Sequence, residues 1–356
     1  NNFPIETTDC EIGNNCTNLQ SFLVPEYNPT LNSIPKNPSG GYYKYQSIDG
    51  SSFTINAILS TGNKYQYNYS TGFSILPPST CVSSGGVICT EIIDGAYTVN
   101  KYTGTGSTTW TVPNGVSNIE YLVVAGGGGA GKATGGGGAG GVLTGSNYSV
   151  SGTYNVSVGA GGVGGIHQSQ ESNGSNSSFG SIVAIGGGIG VMTINGTGGT
   201  GGSGGGGRYG GSGTSGQGNR GGNAKYSYGV DAGGGGGGAG AAGVDNTTSD
   251  GQGSGNGMPG GDGILSNITG VSIYYGGGGG GCSRSLDNPP YYLGGAGGLG
   301  GGGKGGDTPS EAGSNGVDGF GGGGGGGSSS GSFGGNRGGN GGSGVIIIRY
   351  LTPLLQ

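Results

Sequence analysis

Seven consecutive glycines at 321–327, and runs of six at 233–238 and 276–281, constrain this chain more than any other feature. Such runs bring no side chain to a core. They also cannot build a helix bundle, because each helical glycine costs roughly 1 kcal/mol against alanine. Glycine accounts for 103 of 356 residues but for only 12 of the first 120. Collagen is excluded, since it needs glycine strictly at every third position and abundant proline, and here there are 13 prolines. Charged residues make up 8% and the net charge is −5, so the chain has no basic footprint for nucleic acid or anionic membrane.

A disordered linker is one state open to a glycine run. The punctuation argues for another. Short β-patterned pieces stand between the runs at Tyr97–Tyr102, Thr108–Val112 around the sole tryptophan Trp110, Ile119–Val124, Gly141–Leu143, Tyr154–Val158, Ile182–Ile185, Ile273–Tyr275 and Val345–Leu351. The last is apolar on both faces, which predicts cover on both. In polyglycine II, an extended helix of about 3.1 Å rise per residue, six residues span about 19 Å. It has no internal hydrogen bonds, so every N–H and C=O must pair sideways. Without Cβ atoms, neighbouring rods approach closely enough to do so. The expectation is an ordered bundle whose core is backbone.

Residues 1–72 have ordinary composition. Leu19, Phe22 and Leu23 share one helical face over 14–23, and Pro25 ends it. Three strands follow: one at Tyr42–Tyr45, one with Phe53, Ile55, Ala57 and Leu59 alternating, and one with Tyr65, Tyr67 and Tyr69. A Pro-rich spacer with two cysteines is expected at 73–95, and a glycine-rich domain at 96–356. Cys10/Cys16 and Cys81/Cys89 are close pairs without zinc-like spacing, and read as disulfides formed outside the cytoplasm, within each pair or crossing between the pairs. Cys282 is left over as a lone thiol or an intermolecular link. Nine Asn-X-Ser/Thr sequons exceed chance too slightly to argue glycosylation.

The order Leu19-x-x-Phe22-Leu23, Ile34-Pro35-Lys36-Asn37-Pro38, Gly41-Tyr42-Tyr43-x-Tyr45, Asp49-Gly50-Ser51-Ser52-Phe53-Thr54-Ile55 and Tyr65-x-Tyr67 resembles the head of a type IV pilin or pseudopilin. The resemblance implies a small α+β head packed on a long amino-terminal helix that carries filament assembly and membrane anchoring. That helix is missing here, so the expected part is a mature or trimmed extracellular one. Further on, Thr111-Val112-Pro113-x-Gly115-Val116, Ile119–Gly129, Tyr154-x-Val156-x-Val158-Gly159-Ala160-Gly161-Gly162 and Gly344–Tyr350 resemble the glycine-rich domains of bacterial and phage surface proteins. They are also similar to the glycine-rich domain of the anaplastic lymphoma kinase receptor family. This resemblance implies a jelly-roll-like β-sandwich with inserted polyglycine II helices, and phage adhesins use the loops of a related bundle to touch the host. The expected fold is therefore mainly β, with a small α+β pilin-like head.

Nothing in the sequence points to catalysis, a cofactor or a metal. Gly-x-Gly-x-x-Gly recurs by composition alone, and no instance has the flanking elements of a dinucleotide site. The single histidine, His167, has no positioned partner in sequence. Asp245, Asp250 and Asp262 lack calcium-loop spacing and read as solvated loop residues. The candidate binding residues are those that bring tyrosine and arginine into otherwise small, polar insertions: Tyr209, Tyr226, Tyr228, Arg284, Tyr291, Tyr292 and Arg337, with Tyr274, Tyr275 and Phe333 in similar settings. Tyrosine among Ser, Gly and Asn is the composition of adaptable binding loops. The same rings could instead cap the ends of the glycine bundle. The expected function is an extracellular structural and adhesive protein. It is either a pilin-like filament subunit or tip pilin whose partners are identical subunits and a surface ligand, or a phage or cell-surface adhesin with no filament role.

Overall fold

The computed structural model describes residues 6–11, 43–47, 54–58, 64–68, 72–76, 81–133, 135–166, 170–191, 196–224, 232–247, 255–285, 291–330 and 336–353. The chain forms two compact units, Asn1–Thr80 with Pro113–Val116 and Thr352–Gln356, and Cys81–Val112 with Ser117–Leu351.

In the first unit, β1 (Glu6–Glu11), β2 (Tyr43–Ser47), β3 (Thr54–Ile58), β4 (Lys64–Asn68) and β5 (Gly72–Leu76) form an antiparallel sheet in chain order. The three-stranded meander is where alternation placed it, with Tyr45 opposite Ile55 and Ile55 opposite Tyr67. No helix occurs among the described residues, so the α+β head is represented by a sheet alone. The helix expected over 14–23 and the partner cysteine Cys16 lie outside the described residues.

The second unit is built on two sheets. Strands β6 (Val87–Asp94), β7 (Tyr97–Gly104), β9 (Asn118–Val124), β10 (Val142–Ser149) and β18 (Val345–Leu351) make one, in the order β10-β9-β18-β7-β6. Strands β8 (Gly106–Thr111), β11 (Thr153–Val158), β12 (Ser177–Phe179) and β13 (Ile182–Ala184) make the other, in the order β13-β12-β11-β8. The spacer expected at 73–95 is thereby corrected. Its first residues belong to β5, and Val87–Asp94 pairs with β7 along its full length. Val87, Ile88, Ile92 and Ile93 give this stretch strand propensity, which the flanking Pro and Gly residues obscured. Cys81 and Cys89 form the expected disulfide.

The sheets meet face to face over an aromatic layer. Trp110 of β8 is fully buried, with its ring centroid 5.8 Å from Phe179 and 6.0 Å from Tyr350 of β18. Tyr154 stacks on Phe179 at 4.9 Å. The opposite face of the five-stranded sheet is covered too. Val345 and Ile347 pack with Val99, Leu122, Val124, Val142, Ala239, Ile268 and Tyr275. Tyr275 belongs to a hairpin of β14 (Ile264–Ser266) and β15 (Ile273–Tyr275), and it stacks on Phe320 at 5.6 Å. Burial on both faces is why Val345–Ile348 carries no polar alternation. Arg349 ends the run, held by Asp94 at 3.4 Å and Glu120 at 3.3 Å and stacked 3.9 Å over Tyr97.

The glycine segments, some of which continue from strand ends, hydrogen-bond to one another with a three-residue period. In 126–130, Gly126 and Gly129 donate to Ser175 and Ser172, Gly127 and Ala130 donate to Gly342 and Gly339, and Gly128 donates to Gly138. The carbonyls of this segment accept from three further neighbours: Gly126 and Gly129 from Gly187 and Gly190, Gly127 and Ala130 from Gly162 and Gly165, and Gly128 from Gly324. One rod thus bonds to six others, three running antiparallel and three parallel. Rod 276–281 follows the same rule. Gly277 and Gly280 donate to Gly300 and Gly303, Gly278 and Gly281 to Gly261 and Met258, and Gly279 to Gly137. A partner change at every residue with a return after three is what a three-residue-per-turn helix requires. The backbone polar groups that side chains cannot shield are satisfied laterally, as burial demands.

Cys282, at the end of rod 276–281, is fully buried and free, which removes the intermolecular link from the two readings. Burial pushes its thiol up to about 11. Iodoacetamide at neutral pH should therefore leave native Cys282 unlabelled and modify it on denaturation; labelling of the native protein would contradict its enclosure. Burial likewise raises Tyr102 and Tyr275. These groups ionise more readily in the unfolded chain, so stability should fall as pH rises above the ordinary thiol value of 9.0. The check is a denaturant midpoint that declines from pH 9 toward pH 11.

Candidate functional site

The rods share a common orientation because the strands set it. Segments 126–130, 159–165, 185–191 and 276–281 leave β9, β11, β13 and β15, while 135–141, 170–176 and 338–344 return into β10, β12 and β18. The sandwich and hairpin therefore stand at one end of the glycine lattice. The turns that join outgoing to returning rods stand at the other.

The structure places the described candidate residues at that far end. Tyr209 follows rod 203–207, and its backbone pairs with Gly196 and Gly198 in a rod antiparallel to 185–191. Arg208 lies over its ring at 5.5 Å. Arg284 exchanges backbone bonds with Gly255 at 2.9 and 3.0 Å, beyond the end of rod 276–281, and begins the short strand β16 (Arg284–Ser285), parallel to β17 (Ser329–Ser330). The Arg337 carbonyl accepts from Gly313 at 2.9 Å, and its side chain is exposed. Tyr292, which follows Tyr291, bonds Thr308, two residues beyond Gly306, which donates to Gly326 near the end of rod 321–327. Tyr226, Tyr228, His167, Asp250 and Phe333 lie outside the described residues.

Exposure separates these rings. Tyr209 is 53% and Tyr291 61% exposed, so neither shields the lattice, whereas Tyr292 is half-buried. Tyr274 and Tyr275 are not part of this end. They sit on the hairpin beside the sandwich, and Tyr275 is core.

The backbone behind Tyr291 is fixed. The Tyr292 N–H donates to Thr308 Oγ1 at 2.7 Å, the Leu293 N–H to Asn256 Oδ1 at 2.8 Å, and the Gly294 N–H to Asp307 Oδ1 at 2.7 Å. Asp307 also takes Lys304 Nζ at 2.7 Å. Desolvation alone would raise its carboxyl, but Lys304 and the Gly294 amide outweigh that and lower it.

Sequence reasoning missed one set of structural residues, the amides and carboxylates that cap exposed rod N–H groups. Asn173 accepts from Ile189, Asn176 from Gly186, Asn340 from Gly164 and Asp318 from Ser343, at 2.7–2.9 Å. Asp245 and Asp262, expected as solvated, do related work. Asp245 is paired with Arg220 at 2.8 Å and accepts from Asn223, and Asp262 accepts from Leu299. Asn173, Asn176 and the buried Asn246 are sequon residues whose amides are already engaged in lattice bonds. An asparagine bordering a glycine run was the available signal.

A family model described as a glycine-rich domain matches residues 102–351. The chain belongs to this glycine-rich domain family. The match spans the sandwich and the lattice, from the end of β7 to the end of β18, and so covers every candidate residue at the far end. It does not reach the first 101 residues, and lends the pilin-like reading of 1–72 no support. No curated protein matches the chain.

Proposed function

We propose that this is an extracellular structural and adhesive protein in which a jelly-roll-like sandwich carries a polyglycine II bundle, and the bundle's far end meets a surface. The observation that carries the reading is the placement of tyrosine. Outside the sandwich and its hairpin, the glycine-rich domain has five tyrosines, at 209, 226, 228, 291 and 292. The three that the structure describes, Tyr209, Tyr291 and Tyr292, lie in far-end connections. Two of them spend their rings on solvent rather than on packing. Backbone rods joined on six sides make a stiff spacer, and stiffness lowers the entropy cost of presenting loops. The amino-terminal part would join the protein to identical subunits in a filament, as the pilin resemblance implies.

Replacing Tyr209 and Tyr291 together with alanine should reduce adhesion to host or environmental surfaces at least about tenfold. Cys282 should stay protected from iodoacetamide in the variant, showing that the lattice is intact. Unchanged adhesion with the lattice intact would contradict the proposal. Electron microscopy of native particles separates the filament role from an adhesin without one.

A further inference from the structure

We propose that Asn114 is a self-modification site of the folded protein, where the side-chain amide is converted to aspartate and isoaspartate, while the glycine lattice withholds its own Asn-Gly pairs from the same reaction.

Asn-Gly pairs begin at Asn114, Asn173, Asn195, Asn256, Asn315 and Asn340. Asn195 lies outside the described residues. The reaction takes only water. The backbone nitrogen of the glycine gives its proton to solvent base and attacks the asparagine Cγ. The N–Cγ bond forms, the Cγ–Nδ2 bond breaks, and ammonia leaves. Water then opens the succinimide ring at either carbonyl, giving aspartate or isoaspartate. A glycine in the second position favours attack, because it has no Cβ to obstruct closure and its φ is unrestricted. The asparagine side chain and the glycine N–H must both be free to move.

In the lattice neither is free. Asn173 Oδ1 accepts from Ile189 N–H, and Gly174 N–H donates to Gly187 on the same rod. Asn340 Oδ1 accepts from Gly164, and Gly341 donates to Gly162. Asn256 and Gly257 grip the N–H and C=O of Leu293, and Asn315 and Gly316 grip those of Asn340. In each case the electrophile and the nucleophile are both turned toward one neighbouring rod, at 2.7–2.9 Å. Bringing them together breaks two lattice bonds at once.

Asn114 has no such restraint. It stands with Gly115 at the centre of an exposed turn closed by the Val116 N–H on the Pro113 carbonyl at 3.1 Å. Gly115 has φ +85°, the conformation that places glycine third in a type II turn. Neither the Asn114 side chain nor the Gly115 N–H has a hydrogen-bond partner among the described residues. The central peptide can therefore rotate to carry the Gly115 nitrogen to Cγ, and glycine tolerates the change. The turn joins β8 of one sheet to β9 of the other. Each event adds a negative charge to a chain already at −5, and the isoaspartate product lengthens this connection by one backbone atom.

The test is incubation of the full chain at mildly alkaline pH, native and unfolded in urea, with peptide mass spectrometry and an isoaspartate-specific methyl label. In the native protein Asn114 should convert at least about tenfold faster than Asn173, Asn256, Asn315 and Asn340. In urea that difference should largely vanish, because the pairs then differ only in sequence context. Asn114→Gln should remove the acidic species that isoelectric focusing resolves in the aged native protein, with Cys282 still protected from iodoacetamide. Comparable native conversion at the lattice pairs would overturn the inference. So would an Asn114 that stays intact in the native protein over the time in which the unfolded chain converts.

Discussion

Gly278→Val should cost the glycine-rich domain more than about 4 kcal/mol, enough to unfold it or leave it insoluble. Gly278 donates to Gly261 and accepts from Gly298, both at 2.8 Å. A Cβ placed there would meet the Gly236 carbonyl carbon at 2.7 Å and the Gly237 oxygen at 2.7 Å. Neither atom belongs to a side chain that can swing aside. To make room, rod 233–238 must withdraw, which breaks the bond from Gly236 to Gly279 and the bond from Gly261 to Gly236. Each broken bond is worth about 1 kcal/mol and leaves buried groups unpaired at higher cost. Alanine should do nearly as much damage, because the clash is at Cβ. Gly255→Ala is the matched control. Its Cβ would have only the Ala232 methyl nearby, at 3.9 Å, and its effect should stay within about 0.5 kcal/mol. Denaturant midpoints of the three proteins check this. Equal midpoints would show that the rods do not pack through their Cα atoms.

Phe179→Ala should destabilise the same domain by about 3–5 kcal/mol through a different mechanism. Phe179 is fully buried between the sheets, where it contacts Trp110, Tyr154 and Tyr148. Removing it leaves a cavity lined by aromatic rings that are held by their own strands and cannot collapse into it. Because Trp110 is the sole tryptophan, its fluorescence reports unfolding of the sandwich, and iodoacetamide labelling of Cys282 reports opening of the lattice. Several rods continue directly from sandwich strands, among them 126–130 from β9 and 338–344 into β18, so the two signals should shift together in this variant. A Trp110 transition displaced without any change at Cys282 would show that sandwich and lattice unfold separately. A shift below about 1 kcal/mol would contradict the packing described.

Much of this architecture was legible in the sequence, and for identifiable reasons. Val345–Tyr350 lacks polar alternation, which only a strand covered on both faces tolerates, and the sandwich and hairpin supply the two covers. The spacing of Tyr45, Ile55 and Tyr67 was enough to place the meander. Glycine runs punctuated by strands implied lateral pairing. Other features left no readable trace. Which rod neighbours which cannot be encoded in identical residues. The rods that continue from strands, such as 126–130 from β9 and 338–344 into β18, take their places from the strand order of the sandwich, and the others are placed by their lateral bonds. Strand β6 was hidden by the proline and glycine before it. Strands β12 and β14 are three residues each, too short for a period to register. The far-end cluster was legible only as separate tyrosine-bearing insertions, because their convergence depends on rod direction. Two of the asparagine caps, Asn173 and Asn176, fall in sequons, a pattern that carries no sign of their lattice bonds.

Hydrogen exchange at the amides of 233–238 and 276–281 in the intact protein tests the central claim most directly, since none of these glycines belongs to a sheet. A lattice bonded on six sides predicts protection comparable to that of β18, with exchange through global opening. Exchange of these amides at the rate of an unstructured chain, while β18 remains protected, would contradict it.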